Sequence, residues 1–393
     1  MPKVSKALFV APSFGGSGGE VHALECITRW STQNSIKEID AITTKHGASV
    51  LKSCGGKSVT AHIMPLIPKE QHHFFSKGLI TSFLIKIIVS LYLVLKLVGK
   101  IQPDTIIVVS HFLHDLLPGL ISAKLSKAKM VVYIHHLHPP ISEREKYHPT
   151  MLSLFSSIND ILSILLIRHF SDLVIGLSDI VTNQCKNHGI PKNKLAVTTN
   201  GVNMKYISKI SKATESYDAC FLGRLYPLKG IFDLVPIWKQ VCSTLGDAKL
   251  VVVGVGGRKY EEMLRDDIRN HGLENNVVLK GYLPEEEKYA VIKSSRVFIS
   301  PSYEEGWGIT ISEAMACALP VIAYDLPAYK VFKDVVIKVP IGERNIFADE
   351  MIKLLTDADR ERKLGERSKI FGRQFDWQKV ADKEVKILNQ RFH

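Results

Sequence analysis

The sequence contains few cysteines and no motif that would use them. Its six cysteines are scattered through 393 residues without a Cys-x-x-Cys pair, which argues against a zinc ribbon and against a disulfide framework. The first ten residues hold two lysines and only a short apolar run, which is too short for the core of a secretory signal. We therefore expect a protein of the reducing cytoplasm.

Low-complexity tracts and short-period repeats are also missing, and 46% hydrophobic with 23% charged residues is an ordinary composition for a folded protein. The chain is longer than one hydrophobic core usually supports, so we expect two domains. The net charge of +12 is uneven, because residues 1–200 contain 21 basic and 12 acidic side chains whereas residues 201–393 contain 30 and 27. A basic first half favours an anionic partner, but no aromatic-interleaved basic motif is present, and we expect no nucleic acid.

Short apolar runs alternate with helical patterns along the chain. Ten of these runs predict buried strands, at 7–11, 105–109, 130–134, 173–177, 195–198, 218–222, 249–253, 277–279, 297–300 and 320–323. Strands that alternate with helices form parallel sheets with both faces covered, which is the doubly wound α/β class. We assign five strands each to an N-terminal domain, residues 1–205, and a C-terminal domain, residues 217–374, joined by a polar linker at 206–216.

Residues 79–98 are nearly all apolar and are interrupted only by Lys86 and Lys96. The stretch is long enough to cross a bilayer, but a spanning helix would interrupt a sheet whose next strand begins at Thr105. Two interpretations stay open, a helix buried against the sheet and an interfacial helix that dips into lipid. Residues 151–170 form a second strongly apolar helical pattern that fits either role.

A glycine cluster at 15–19 follows the first strand and precedes a helical pattern. Glycines here let the backbone approach a phosphate at a helix start, where free N–H groups and the positive dipole end lie. The cluster contains G-x-S-x-G, but a nucleophile elbow on the first strand with so many glycines is unusual. The dinucleotide fingerprint G-x-G-x-x-G is incomplete because Val21 replaces its third glycine, which argues against an NAD-dependent oxidoreductase.

Two cations follow the predicted strand at 218–222. Arg224 comes directly after Gly223, and Lys229 stands five residues further on, where a helical pattern begins. Ligands of parallel α/β sheets bind at the carboxyl ends of the strands. A guanidinium and an ammonium in this position suit phosphate oxygens.

Two glutamates follow the predicted strand at 297–300. Glu305 lies in a glycine-containing loop and Glu313 in the first turns of the next helix, with seven residues between them. A carboxylate accepts hydrogen bonds from pairs of hydroxyls, so the two suit a polyol such as a sugar and a ribose. The apolar neighbours of Glu313 place it near a buried surface, where a carboxylate requires a partner.

The segment SYEEGWGITISEAMACALPVIAYD at 302–325 resembles the motif of the family 4 retaining glycosyltransferases, and FLGRLYPLKG at 221–230 resembles their phosphate-binding strand and turn. Further resemblances follow in family order, GGSGGEVHALE at 15–25, VVYIHHL at 131–137, LAVTTNGVNMKYI at 195–207 and FDWQKVAD at 375–382. The resemblance implies the GT-B fold, in which two Rossmann-like doubly wound domains face each other across a cleft. It also implies that a C-terminal helix, 375–393, returns to the first domain.

The same resemblance implies transfer of a sugar from a nucleotide diphosphate donor with retention of configuration, without a metal ion or a cofactor. His135, Arg224, Lys229 and Glu305 are the catalytic residues it implies, with the two cations on the diphosphate, Glu305 on the transferred sugar and His135 facing that sugar. Glu313 is expected to hold the ribose. The other donor-binding residues it implies are Gly18, Gly19, Asn200, Gly223, Gly306, Trp307, Gly308 and Ile309.

Alternatives stay open for activity and acceptor. A catalytically inactive subunit that binds nucleotide or glycan is the second interpretation of the function. The acceptor is a glycan, a lipid-linked molecule or a small molecule. The basic first half and the stretch at 79–98 favour a lipid-linked or cell-envelope acceptor, with an anionic membrane surface as partner and a location on the inner face of the cell membrane.

Two metal-like patterns are set aside. His135, His136 and His138 cluster, but no cysteine or carboxylate stands at ligand spacing in the sequence, so we expect no metal there. Asp357-Ala358-Asp359 has the form D-x-D, but it lies among Arg360, Arg362 and Lys363, which is typical of a solvated helix face.

Overall fold

The structure is a computed structural model that describes residues 4–10, 18–53, 59–64, 79–138 and 150–392. The chain divides into two compact units. The first comprises Met1–Asn200 and Trp377–His393, and the second comprises Gly201–Asp376.

The first unit is built on a seven-stranded parallel sheet. Its strands are β1 (Lys6–Val10), β2 (Glu38–Thr43), β3 (Val59–Ile63), β4 (Thr105–Val108), β5 (Lys129–Ile134), β6 (Leu173–Gly176) and β7 (Leu195–Val197), in the spatial order β3-β2-β1-β4-β5-β6-β7. Val10 of β1 pairs with Ile42 of β2 on one side and with Val108 of β4 on the other. The strand order reverses between β1 and β4, which opens a crevice at their carboxyl ends.

Helices follow the strands of this sheet. They are α1 (Gly18–Thr32), α2 (Lys45–Ser53), α3 (Leu79–Ile101), α4 (Leu113–Ser126), α5 (Thr150–Phe170) and α6 (Asp179–Asn187). α3 buries Val94 and Val98 but leaves Ile88 and Leu95 each 66% exposed. In the described part of the chain, no helix is both long enough and apolar enough to cross a membrane.

The second unit is built on a six-stranded parallel sheet with the same kind of order. Its strands are β8 (Tyr217–Leu222), β9 (Leu250–Val253), β10 (Val277–Gly281), β11 (Ser295–Ser300), β12 (Val321–Tyr324) and β13 (Val336–Val339), arranged β10-β9-β8-β11-β12-β13. Here the order reverses between β8 and β11, so the loops after these two strands flank the crevice.

The helices of the second unit cover both faces of its sheet. They are α7 (Met204–Lys209), α8 (Ile231–Leu245), α9 (Arg258–Asn270), α10 (Glu285–Lys293), α11 (Ile309–Ala316), α12 (Arg344–Leu355) and α13 (Ala358–Gly372). Two separate hydrophobic clusters lie against the sheet, one around Phe298, Trp307 and Phe332 and the other around Trp238 and Phe347. Burial on both faces explains why the central strands are continuous apolar runs.

The last helix, α14 (Trp377–Arg391), belongs to the first unit. It buries Trp377, Ala381, Glu384 and Leu388, which recur with helical spacing on one face. The indole Nε1 of Trp30 on α1 donates to the carbonyl of Ala381 at 3.1 Å. The final segment of the chain therefore completes the first unit.

The predicted doubly wound α/β class is confirmed for both units, but the division into five and five strands is wrong. The sheets have seven and six strands. The prediction omitted β2, β3 and β13 because polar residues interrupt their apolar runs. The predicted linker at 206–216 also differs, since the second unit already begins at Gly201. Ile207 in this segment is fully buried, and Lys293 Nζ donates to the carbonyl of Ile210 at 2.6 Å.

Candidate active site

The loops after β8 and β11 bring together two of the predicted site residues. Lys229 Nζ donates to Glu305 Oε1 at 2.5 Å, and the buried Ser302 donates from Oγ to the same oxygen at 3.3 Å. Lys229 and Glu305 lie 76 positions apart in the chain, and they meet because their strands are neighbours at the point where the strand order reverses. The result is an ion pair at the carboxyl edge of the second sheet.

A glycine holds these two loops against each other. Gly230 has φ +71°, and a Cβ on it would lie 1.9 Å from the carbonyl oxygen of Pro301. The amide of Tyr303 donates to the carbonyl of Leu228 at 2.9 Å. Since only glycine fits both the left-handed backbone and the close approach, Gly230 fixes the turn Pro227–Lys229 from which the lysine projects.

Arg224 lies exposed just beyond β8. Burial raises the pKa of the neighbouring Tyr226 to about 12, and the charge of Arg224 acts in the opposite direction. Gly223 donates from its amide to Val253, and its carbonyl oxygen would lie 1.9 Å from a Cβ on Gly254. The backbone at the end of β8, from which the Arg224 side chain extends, is therefore closely packed against the residues that follow β9.

Glu313 lies on α11 and is only 8% exposed. Its Oε1 accepts hydrogen bonds from Lys288 Nζ at 2.8 Å and from the Tyr289 hydroxyl at 2.7 Å. Burial works to lower the pKa of Lys288, but the charge and the hydrogen bond of Glu313, together with the charge of Glu285, outweigh it and raise that pKa. The ion pair offsets the cost of burying the carboxylate, and among the described residues no donor reaches Oε2.

The loop between the two glutamates ends at a helix start. Gly308 has φ +93° and precedes Ile309, the first residue of α11, whose N-terminus has no side-chain cap. Such an N-terminus offers free N–H groups to an anion. Trp307 is only 3% exposed and its ring packs against Phe332 and Phe375, so its side chain is part of the core and only its backbone, like that of Gly306, lies in the loop.

The first unit places Gly19 and His135 in contact. A Cβ on Gly19 would lie 2.6 Å from His135 Nε2, and that nitrogen is 2.7 Å from the carbonyl oxygen of Val109. Burial, reinforced by the charge of His22, lowers the pKa of His135 to about 3. A neutral ring that donates from Nε2 carries a lone pair on Nδ1, and this buried atom has no partner in the described part of the chain.

Asn200, which the resemblance implies as a donor-binding residue, lies in a buried polar network of the first unit. Its Oδ1 lies 2.9 Å from His22 Nδ1, and His22 Nε2 lies 2.8 Å from Glu384 Oε1. Glu384 is fully buried and also accepts from the Tyr133 and Thr198 hydroxyls, at 2.7 Å each. The carboxamide therefore belongs to a buried polar network that anchors α14.

The described part of the glycine cluster and the D-x-D pattern lie at the starts of helices. Gly18 begins α1 and Gly19 follows it in the same helix, whereas residues 15–17 of the glycine cluster lie outside the described residues. Asp357 Oδ1 accepts from the amide of Arg360 at 2.9 Å, and Asp359 pairs with Arg362 at 3.4 Å. The D-x-D pattern is therefore a helix cap and a surface ion pair, as predicted from its charged surroundings.

Sequence reasoning missed the partners of the site residues. Lys288 and Tyr289 lie in the ordinary helical sequence of α10, and Asp233 lies in an apolar run. Asp233 Oδ2 accepts from the hydroxyls of Tyr303 at 2.7 Å and Tyr324 at 2.5 Å, and so it anchors the loop after β11 to α8. No spacing in the sequence indicates these contacts.

Comparison with known proteins covers both halves of the chain. A family model described as Glycosyltransferase Family 4 matches residues 17–206, and one described as Glycosyl transferases group 1 matches residues 203–371. An uncharacterized glycosyltransferase of Methanocaldococcus jannaschii is 25% identical over 313 residues, 74% of this chain and 76% of that protein. A phosphatidyl-myo-inositol mannosyltransferase of Mycobacterium leprae is 31% identical over 198 residues, 48% of this chain and 51% of that protein.

The fold is also that of solved structures. An Anabaena protein crystallised in complex with UDP and glucose superimposes with a TM-score of 0.76, covering 98% of this chain and 100% of that one, at 19% identity. At this identity the likeness shows the fold, which is the two-domain fold predicted from the sequence.

Proposed function

The chain belongs to the family 4 glycosyltransferases, and from this premise we propose that it is a retaining, metal-independent enzyme that uses a UDP-activated hexose. Glycosyl transfer from a nucleotide sugar is the function that the family match gives. UDP is proposed as the nucleotide because the Anabaena protein of the same fold was crystallised with it.

The donor diphosphate is proposed to bind Arg224, Lys229 and the N-terminus of α11. When the bond between the anomeric carbon and the phosphate oxygen breaks, negative charge collects on the departing diphosphate. Cations already in place stabilise that charge without reorganising, which is the part a metal ion plays in other transferases. The ion pair of Lys229 with Glu305 supports this assignment, because it holds the ammonium at the strand edge before a ligand arrives.

The polyol parts of the donor are proposed to bind the two glutamates. Glu313 directs Oε1 to Lys288 and Tyr289, which leaves Oε2 for the ribose hydroxyls. Glu305 would take hydroxyls of the transferred sugar. In the first unit, the lone pair on Nδ1 of His135 would accept a hydrogen bond from a ligand hydroxyl at the carboxyl edge of that sheet.

Retention follows from attack on the face that the diphosphate leaves. The acceptor oxygen forms the new bond to the anomeric carbon, the old bond to the phosphate oxygen breaks, and the acceptor proton passes to that phosphate oxygen. This route requires no carboxylate base. It requires only that the leaving group be held in place by cations, as proposed for Arg224 and Lys229.

Incubation with UDP-glucose, UDP-galactose and UDP-N-acetylglucosamine, followed by mass spectrometry and proton NMR, tests the function. We expect release of UDP and an α-configured product from an α-configured donor, with the rate unchanged by EDTA. A β-configured product would overturn retention, and loss of activity with EDTA would overturn metal independence. Absence of turnover with every donor and with lipid extract would favour the inactive, ligand-binding alternative.

We propose that one face of the first unit binds an anionic membrane surface, where the acceptor is located. Helices α3 and α5 both expose apolar side chains, and we call these side chains the α3/α5 face. They are Leu84, Ile88, Tyr92 and Leu95 on α3 and Leu154, Ile158, Ile161 and Leu165 on α5. Both sets recur with helical spacing, and the rings of Phe83 and Phe155 join the helices at 5.4 Å. Exposed apolar stripes of this extent mark interaction surfaces.

The exposed charges on helices α3, α4 and α5 have one sign. Lys96, Lys100, Lys124 and Arg168 are exposed on α3, α4 and α5, whereas the two acidic residues of these helices, Asp115 and Asp160, bond inward to Ser110 and to His111. Apolar side chains bordered by basic ones are typical of helices that lie in the interface of anionic bilayers. A lipid-linked or cell-envelope acceptor on the inner face of the cell membrane fits this surface, and the mycobacterial relative is named for a lipid acceptor.

Cosedimentation with phosphatidylglycerol vesicles tests the membrane proposal. Ile88→Glu on the α3/α5 face places a negative charge at a side chain that is 66% exposed, and we expect it to reduce vesicle binding by about tenfold or more. The matched control is Ile370→Glu on α13, 63% exposed in the second unit, which should bind like the unchanged protein. Equal binding by all three proteins would overturn the proposal.

A further inference from the structure

Outside the proposed donor site, three potential metal ligands converge in the first unit. His111 follows β4, His138 follows β5, and Asp160 comes from α5. His111 Nε2 lies 3.0 Å from Asp160 Oδ1, and His138 Nδ1 lies 2.8 Å from Asp160 Oδ2. One ligand atom from each residue lies within 4.8 Å of the other two.

The surrounding structure holds this triad in place. β4 and β5 are hydrogen-bonded neighbours, so the loops that carry the two histidines leave the same edge of the sheet. Asn159, next to Asp160, is buried and accepts from the amide of Leu113 at the start of α4. His111 is 1% exposed, and the side chains of His138 and Asp160 are 17% and 15% exposed, so the triad is enclosed but reachable from solvent.

We propose that His111, His138 and Asp160 form a binding site for a divalent transition metal ion of the zinc type. This departs from the sequence expectation of no metal at His138, because the carboxylate of Asp160 reaches it from 22 positions away in the chain. In tetrahedral zinc sites the metal–nitrogen distance is about 2.0 Å, which places neighbouring ligand atoms about 3.3 Å apart. The distances from His111 Nε2 and His138 Nδ1 to the Asp160 oxygens, 3.0 Å and 2.8 Å, are close to that spacing. With the ring protons on His111 Nδ1 and His138 Nε2, the other nitrogen of each ring presents its lone pair to the metal ion. Two imidazoles with one carboxylate favour zinc, iron, cobalt or nickel over magnesium or calcium.

Three protein ligands leave one coordination position open, as in zinc sites that bind water or a ligand oxygen. The site lies beside the reversal of strand order in the first sheet, where ligands of such sheets bind. It shares no residue with the proposed donor site in the second unit. Metal binding here and metal-independent transfer are therefore separate proposals, and either can fail alone.

A second group of potential ligands in the described residues, His22, Cys26 and Glu384, fits a metal poorly. It is fully buried, and Glu384 accepts hydrogen bonds on both oxygens from four side chains, those of His22, Thr198, Tyr133 and Cys26. A metal ion would have to displace these bonds. We therefore use Cys26 as a control position.

The test is zinc titration of the full-length, untagged, chelator-treated protein against a chromophoric chelator. We expect about one zinc ion per chain, and at least about tenfold weaker binding in each of His111→Asn, His138→Asn and Asp160→Asn. His62→Asn is the matched control, because His62 Nε2 bonds Asp40 Oδ1 at 2.7 Å in the same unit and no third ligand joins them among the described residues. His62→Asn and Cys26→Ser should bind zinc like the unchanged protein.

Absence of stoichiometric zinc from the unchanged protein would overturn the proposal, as would binding that survives all three triad substitutions. Should the triad variants fail to fold, the visible absorption of the Co²⁺-loaded unchanged protein decides the matter. Intense bands without a thiolate charge-transfer band indicate a four-coordinate nitrogen and oxygen site. Weak bands typical of six-coordinate cobalt, or none, would contradict it.

Discussion

At the scale of single residues, the second unit assigns its two acidic site residues to different cations. Glu305 pairs with Lys229 across two loops, and Glu313 pairs with Lys288 from a neighbouring helix. We propose that the first pair releases its lysine to a phosphate of the donor, whereas the second pair holds a buried carboxylate in place. The two glutamates therefore have different roles although they share one motif.

Removing the ammonium of Lys229 tests its role in catalysis. Lys229→Ala should lower kcat/KM by about 10²–10³ in steady-state assays, because a preplaced charge that stabilises the leaving group is lost. The matched control is Lys353→Ala on α12, whose side chain is 61% exposed beside Glu350, and it should retain full activity. A Lys229→Ala enzyme with unchanged kcat/KM and unchanged Tm would refute the assignment.

The buried pair of His22 and Glu384 predicts a pH-dependent contribution to stability. Burial works to raise the pKa of Glu384, but the charge of His22 and the hydrogen bonds from His22, Thr198 and Tyr133 together outweigh it and lower that pKa below its usual 4.5. Burial works to lower the pKa of His22, but Glu384 raises it above its usual 6.5. The contribution of Glu384 is lost as the pH falls through its lowered pKa, and that of His22 is lost as the pH rises through its raised pKa.

Both contributions are therefore complete between about pH 4.5 and 6.5, the usual values of the two groups. In that range Glu384→Gln should cost about 3–5 kcal/mol of unfolding free energy, since one partner of a buried pair is removed. Denaturant unfolding across pH 5 to 9 measures the cost, which should shrink as the pH rises. Glu366→Gln, at a side chain 61% exposed on α13, should change little, and an equal, pH-independent loss in both variants would contradict the account.

Sequence reasoning identified the charged residues of the proposed site but not the residues that contact them. Glu305 and Glu313 stand out because carboxylates are uncommon in a glycine loop and in an apolar helix start. Lys288, Tyr289 and Asp233 do not, since each contact joins residues 24 or more positions apart. Long-range partners depend on packing, which local pattern does not encode.

At the scale of elements, the turn before α8 depends on a glycine. Gly230→Ala would combine a left-handed backbone, which costs about 1–2 kcal/mol, with a Cβ 1.9 Å from Pro301 O. Displacing the loop adds about 1–3 kcal/mol, so we expect a total loss of roughly 3 kcal/mol by calorimetry and weaker donor binding. Gly272→Ala, where φ is +66° and nothing lies within 4 Å of the added Cβ, should show only the smaller backbone cost; equal losses would exclude the steric contribution.

The strands that the sequence missed share one physical property. β2, β3 and β13 read EIDAIT, VTAHI and VIKV, so that polar residues interrupt their apolar runs. β3 and β13 lie at the edges of their sheets, where one side need not be covered by a partner strand. Edge position alone does not decide the outcome, because the edge strands β7 and β10 were predicted. Apolar runs therefore predict most strands of a parallel sheet but miss those that polar residues interrupt.

Helix α3 has features of both interpretations that the sequence left open for residues 79–98. One side of the helix packs into the core through Val94 and Val98, as the buried interpretation required. The opposite side exposes apolar residues, as the interfacial interpretation required. Composition alone could not separate the two interpretations because the helix has an apolar residue on nearly every face.

At the scale of the whole molecule, the chain returns to its first unit at Trp377. A fragment of residues 201–376 contains the second sheet and its two hydrophobic clusters, so we expect it to unfold cooperatively alone. A fragment of residues 1–200 lacks α14, which leaves Trp30 Nε1 and His22 Nε2 without their partners. It should be unfolded by circular dichroism, and a folded fragment with a sharp thermal transition would show that α14 is dispensable.

The central claim is that Arg224, Lys229, Glu305 and Glu313 bind one nucleotide sugar in the second unit. Calorimetric titration with UDP and UDP-glucose tests it most directly, with Lys353→Ala as the control. Each charged hydrogen bond is worth about 1.5–3 kcal/mol, so the Arg224→Ala/Lys229→Ala variant should bind both ligands about 100-fold or more weakly. Glu313→Gln should weaken both as well, whereas Glu305→Gln should weaken UDP-glucose alone. Unchanged affinities in these variants, with the fold intact, would contradict the account.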